Sequence, residues 1–242
     1  RVLSIGDGSP VPDLLRLLEA SGGVRVFGEK LGRNGPDGAY QLSQGIPFVL
    51  LNLSKSPQRT RFTLAHEYGH HRLGHGARAP ETVMPGSRDP LERAANEFSA
   101  AFLMPRPAIS RWFETHGEKA VDLESLCRLA CDFGVSAKAM LIRLNTIERV
   151  GRTLRTRLDG LLEAGAHLDL MDRLSMPRIV DSVSQACERG VWLPPEFQKR
   201  LVSLLDREGF GADVVSRHLP SGVRVEDLVA WSEVTRGEVE DA

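Results

Sequence analysis

The sequence predicts an α+β protein: a domain with a small sheet and several helices first, then a helix-turn-helix-like pair, then a mainly α-helical C-terminal region. Three observations carry this. Two short apolar runs, Val24 to Phe27 and Ile46 to Leu53, have the length and bulk of strands. Long stretches after Thr60 repeat their apolar residues at helical spacing. Glycine and proline separate these pieces.

In chain order, residues 11 to 21 read as a short amphipathic helix, with Pro12 near its start, Leu14, Leu15, Leu17 and Leu18 on one broad side, and Gly22-Gly23 at its end. The two strands follow, divided by a polar, glycine-rich stretch from Gly32 to Gly45 that we expect to be irregular. Thr60 to Leu73 contains one glycine and no proline, and Phe62, Leu64, Ala65, Tyr68 and Leu73 suit a mostly buried helix. Gly76 to Pro90 has glycine or proline at five positions, which predicts a loop beside whatever cleft the flanking helices make. Leu91, Ala95, Phe98, Ala101 and Phe102 mark the next helix, and Arg106 to Glu114 another. Leu123 to Phe133, Gly134, and Ser136 to Ile147 read as helix, tight turn, N-capping serine, helix. In the last third, Ile179, Val180, Val183, Ala186 and Cys187 form a helical stripe. Pro194-Pro195 opens a helix carrying Phe197, Leu201, Leu204 and Leu205, and Val214, Leu219, Leu228 and Trp231 point to two short ones. The expected boundaries are 1–118, 119–168 and 169–242.

The chemistry is concentrated in His66-Glu67-Tyr68-Gly69-His70, the HExxH pattern of zinc peptidases. On a helix, positions i and i+4 share a face, so both imidazoles can converge on one ion. Glu67 projects about 100° further around the axis, beside the ion but outside its ligand set. From there a carboxylate can take a proton from water activated by Zn²⁺. Chance copies of so short a pattern occur, and such a copy is usually a solvated helix face; here the flanking apolar residues and a second motif argue against chance.

That second motif is Leu91-Glu92-Arg93-Ala94-Ala95-Asn96-Glu97-Phe98. Two histidines need a third protein ligand, with a position left for water. Glu92 and Asn96 share a helix face. Glu92 can complete the ligand set, and the Asn96 amide can hold the second nitrogen of a ligand imidazole. Glu97 lies about 140° around the axis from Glu92, so the two cannot both serve. We expect Glu97 to be a surface charge. His75 misses the third-histidine spacing of HExxHxxGxxH, since positions 73 and 76 are Leu and Gly, and reads as a cation near the helix C-terminus. His71 points away from the ion. An oxyanion donor is not evident, and Tyr40 and Tyr68 are the chain's two tyrosines.

With these motifs on the page, the chain resembles the ImmA/IrrE family of metallo-endopeptidases. The resemblance rests on Phe62-Thr63-Leu64-Ala65-His66-Glu67-Tyr68-Gly69-His70-His71, then Glu92-x-x-Ala95-Asn96-x-Phe98, closing on Leu103-Met104-Pro105, and covers about residues 10 to 150. It implies a zincin-like domain with His66, His70 and Glu92 as zinc ligands and Glu67 as catalytic glutamate. It also implies a protein substrate, a transcriptional repressor or antitoxin-like regulator whose cleavage derepresses stress or mobile-element genes. Ser99 stands where alanine is usual and Phe102 where leucine is usual, both on the packing side. The sequence opens on Arg1, so we expect a piece of a longer chain; some relatives carry an N-terminal DNA-binding module that would be missing here.

The rival reading is a DNA-binding regulator whose metal site is structural or vestigial. The helix pair at 123–147 and the basic run Arg143, Arg149, Arg152, Arg155 and Arg157 favour it. Against it, 31 Lys+Arg balance 32 Asp+Glu and the net charge is -1, so there is no general phosphate-binding field. A non-catalytic scaffold would need a lost zinc site, and every expected residue is present. Three cysteines, an odd number, do not make a disulfide framework. With no secretory leader and no apolar run near 18 residues, the expected location is the cytoplasm.

Overall fold

The computed structural model describes residues 9–76, 89–117, 120–176, 180–205, 211–217, 219 and 223–230. Helix α1 (Leu14–Ala20) is capped by Asp13, whose side chain accepts from the Arg16 amide, and it buries Leu14, Leu15 and Leu18. Strands β1 (Arg25–Glu29), β2 (Gly38–Ser43) and β3 (Ile46–Asn52) follow. With β4 (Val191–Trp192) they form one sheet in the order β2-β3-β1-β4. β1 and β3 are parallel, with Val26 opposite Val49 and Gly28 opposite Leu51. β2 and β3 are an antiparallel hairpin in which Tyr40 faces Val49.

Here the structure corrects the reading of Gly32 to Gly45 as irregular. Its second half is β2, turned into β3 by Gln44 and Gly45, both at positive φ (50° and 78°), the pair that a two-residue hairpin turn requires. The first half is organised by Asn52, which is fully buried. Its Oδ1 accepts from the Leu31 and Ser54 amides, and its Nδ2 donates to the Gly32 and Pro36 carbonyls. The connection is thus pinned by one side chain rather than by regular structure. β3, with strands on both sides, is interior to the sheet. On that side the edge is β2.

One sheet face, with Val24, Val26, Tyr40, Val49 and Leu51, is buried in the main core. α1 and α2 (Pro57–Leu73) contribute Leu14, Leu18, Leu64, Ala65 and Tyr68 to the same cluster. On the other face Phe27 stacks on Phe48 and meets Phe197 of α10 (Pro195–Leu205) edge-on. α2 is capped at its start by Ser56, with Pro57 in the first turn, and ends on Gly74 in the left-handed region (φ 71°). α3 (Pro90–Leu103) starts the same way, with Asp89 as cap and Pro90 behind it. The two helices lie close because Gly69 has no side chain. A Cβ there would come within 3.0 Å of the Phe98 ring and 3.3 Å of the Ala95 carbonyl.

Downstream, α4 (Arg106–Thr115), α5 (Leu123–Phe133) and α6 (Ala137–Thr146) match the expected segments. α5 carries a reciprocal cap between Asp122 and Ser125 and stops at Gly134 (φ 63°), and Ser136 caps α6. α7 (Arg152–Glu163) and α8 (Ala166–Arg173) then run through the basic stretch and past Asp169. α9 (Ser182–Arg189) takes Val183, Ala186 and Cys187 into the core, whereas Val180 lies before it and is 82% exposed. α11 (Ala212–Ser216) and a helical run over 225–230 provide the expected short helices. The expected loop from Gly76 to Pro90, together with Ile179 and Trp231, falls wholly or mostly outside the described residues.

The division at 118/119 and 168/169 is a proposal, and the packing bears on it. One hydrophobic cluster runs from Val11 to Trp192 and takes in residues on both sides of each boundary. A second, small cluster gathers Leu193, Leu201, Val215 and Leu228. Through β4 and α9 the last third is built into the sheet and against α1 and α2.

Candidate metal centre

α2 buries six polar residues alongside its apolar ones. Thr60, Arg61, Thr63, His66, Glu67 and His70 are each at most 5% exposed. Burying such groups costs about 1–3 kcal/mol apiece unless they are partnered, so their contacts are informative. His66 and His70, one turn apart, bring their Nε2 atoms to 3.0 Å from each other. Glu92 comes from the first turn of α3, 6% exposed, with Oε2 3.0 Å from His66 Nε2 and Oε1 3.2 Å from His70 Nε2. These side chains are a group that could hold a metal, with one ligand atom from each within 4.8 Å of the others.

The donor set fits a zinc ion. Zinc with bonds of about 2.0–2.1 Å to nitrogen sets tetrahedral ligands roughly 3.3 Å apart, close to the spacings here. The hydrogen bonding also sets the proton positions. Asn96, one turn along α3 from Glu92, places its Oδ1 3.1 Å from His66 Nδ1. An amide oxygen only accepts, so His66 carries its proton on Nδ1 and presents a lone pair at Nε2. That lone pair faces a carboxylate and a second imidazole. Converging donors of this kind repel one another around a point and are drawn together by a cation placed at it.

The sequence-expected residues therefore meet: His66, His70 and Glu92 at one point, with Asn96 behind His66. Glu97 is exposed, as expected of a surface charge. Glu67 is 5% exposed and faces the start of β2, where a Cβ at Gly38 would lie 3.4 Å from its Oε1 and 2.6 Å from Thr63 Cγ2. Gly38 thus lets the edge strand pass directly over this carboxylate.

Four relationships were not legible in the sequence. His75 sits with its Nδ1 2.9 Å from His70 Nδ1, delivered by the left-handed turn at Gly74. A glycine just after the periodic residues is the signal that could have found it. Tyr40 lies with its hydroxyl 3.1 Å from His71 Nδ1. Burial, and then the neighbouring Arg72, push His71 below its ordinary range. Burial raises the Tyr40 phenol correspondingly. Tyr68 packs against Phe98 and Phe102 and accepts from Arg72. The fourth is Gly38.

The helix pair α5–α6 has helix-turn-helix form, but its basic residues are occupied. Arg143 donates to the Met104 carbonyl, Arg149 lies over the Phe113 ring, and Lys138 pairs with Asp159. Among the described residues no helix is long and apolar enough to cross a membrane.

Comparison with known proteins agrees with this geometry. Residues 20–145, which hold every residue of the centre, match the peptidase family described as IrrE N-terminal-like domain. The chain is also similar to the radiation response metalloprotease IrrE of Deinococcus radiodurans, 31% identical over 121 residues. That alignment covers 45% of this chain and 33% of the relative, so the chain spans about one third of its length. With the match extending over more than half of its residues, the chain belongs to the ImmA/IrrE family of metallopeptidases.

Proposed function

We propose that the chain is a zinc-dependent endopeptidase that cleaves a transcriptional repressor or antitoxin-like regulator at one site and so derepresses stress or mobile-element genes. The observation that carries the reading is the buried meeting of His66, His70 and Glu92, with the His66 tautomer fixed by Asn96. When bound, zinc supplies Lewis acidity, polarising a carbonyl and lowering the pKa of water to about 7. His66, His70 and Glu92 hold the ion. Glu67 takes a proton from water and delivers it to the leaving amine.

An extended substrate suits the outer side of β2, which among the described residues is a sheet edge and which crosses Glu67 at Gly38. Main-chain hydrogen bonds along such an edge align a peptide without demanding a particular sequence. Cytoplasmic residence is part of the proposal and is supported by the odd cysteine count, Cys127, Cys131 and Cys187, which does not make a disulfide framework.

The alternative is a DNA-binding regulator with a structural metal. Its support is the α5–α6 pair; the engagement of Arg143, Arg149 and Lys138 within the protein counts against it. One assay separates the two. The chain is co-expressed with repressors encoded near its gene, and the repressors are examined for shortened products. Cleavage by the wild type, abolished by Glu67→Gln, supports the proposal. An operator shift without proteolysis and insensitive to chelators would favour the alternative.

A further inference from the structure

His66 and His70 are supported in different ways. The second nitrogen of His66 meets an amide oxygen across the helix interface, from Asn96. The second nitrogen of His70 meets another imidazole from its own chain segment, His75 Nδ1 at 2.9 Å, with the rings edge to face at 5.0 Å. The local backbone builds this contact. α2 ends at Leu73, Gly74 takes φ 71°, and the His75 amide returns to donate to the His70 carbonyl at 3.0 Å. That reversal folds the His75 ring back against the last turn, beside His70.

We infer that His75 is a positioning residue for the metal centre: its Nδ1 accepts the Nδ1 proton of His70 and so fixes the His70 tautomer with Nε2 free to bind the ion. The inference rests on the proposed zinc site. Two imidazole nitrogens 2.9 Å apart need one proton between them. Since His70 Nε2 points to Glu92 and His66, the proton belongs on His70 Nδ1 and His75 keeps its own on Nε2. Histidine ligands ordinarily give this second proton to a carboxylate, a carbonyl or water. Here a second imidazole takes that place, and Glu92 remains the one carboxylate in the group.

The test is zinc affinity, measured by competition with a chromophoric chelator, together with the visible spectrum of the Co²⁺ form. His75→Phe keeps a ring of similar size and removes the acceptor. His75→Asn returns an acceptor oxygen near the position of Nδ1. We expect His75→Phe to weaken zinc about 10–100-fold, the usual cost of losing an outer partner of a ligand histidine, and to alter the Co²⁺ bands. His75→Asn should recover most of the affinity and the wild-type spectrum. Wild-type affinity and spectrum in His75→Phe would overturn the inference while leaving the zinc site standing. Equal losses in both variants would also overturn it, because packing alone would then explain them. A wild-type chain that binds no stoichiometric zinc would bring down the zinc site itself, and this inference with it.

Discussion

Arg61 of α2 and Asp181, the N-cap of α9, form an ion pair whose side chains are 2% and 3% exposed, joining positions 120 residues apart. Arg61 also donates to the Val11 carbonyl, just before α1. Asp13 makes a parallel bridge, its carboxylate accepting from the Arg16 amide of α1 and from the amide and hydroxyl of Ser182 in α9. The helix that carries His66, Glu67 and His70 is thus tied at its N-terminal half to both ends of the described chain's main core.

Breaking that pair strands a buried charge, so Arg61→Ala or Asp181→Ala should each destabilise the fold by about 3–5 kcal/mol in denaturant unfolding. Arg61→Lys should not rescue. An ammonium is a compact charge without the planar fork that lets one guanidinium serve a carboxylate and a carbonyl together. Loss well under 1 kcal/mol would show that the pair is not a fastening of α9.

Glu19 gives the fold a pH dependence. Its Oε1 accepts from Trp192 Nε1 of β4 and from the Val26 amide of β1, each at 3.4 Å, and burial raises its carboxyl from 4.5 to about 8. Below about pH 4.5 the folded and unfolded chains both hold the proton. Between 4.5 and about 8 the folded form alone retains it, so stability falls as pH rises across that window. Thermal unfolding followed over this range should show the decline, and Glu19→Gln, which is always neutral, should flatten it. An unchanged slope in Glu19→Gln would assign the effect to other groups.

Asn96 and Glu97 are neighbours with opposite expected outcomes. Asn96→Leu removes the acceptor behind His66 and should weaken zinc about 10–100-fold. Glu97→Ala, at an exposed site, should leave zinc affinity and stability within experimental error. Zinc titrations of the two variants side by side provide the check, and similar losses in both would contradict the assignment of α3's faces.

Helices such as α5 and α6 were legible in the sequence because they carry a periodic apolar stripe and a terminal signal, whereas α7 and α8, which have no side-chain cap, were not anticipated. Ser56, Asp89 and Ser136 mark starts, and Gly74 and Gly134 mark ends. The centre was legible because its spacing is a property of the helix: i, i+4 on α2 and i, i+4 on α3. What sequence could not show is where non-local pairing decides. β2 has Gln41 and Ser43 among its six residues, is exposed over its second half, and becomes a strand by pairing with β3. β4 is two residues long and exists through β1. His75 failed a spacing rule for direct ligation, yet lies against a ligand because a single left-handed glycine turns the chain.

The most direct measurement is metal content per chain after loading with Zn²⁺ and exhaustive dialysis, made on the wild type and on His70→Ala, Glu92→Ala and Glu67→Gln. The account predicts one tightly held zinc in the wild type and in Glu67→Gln, and its loss in His70→Ala and Glu92→Ala. One zinc retained by Glu92→Ala with wild-type affinity would contradict it.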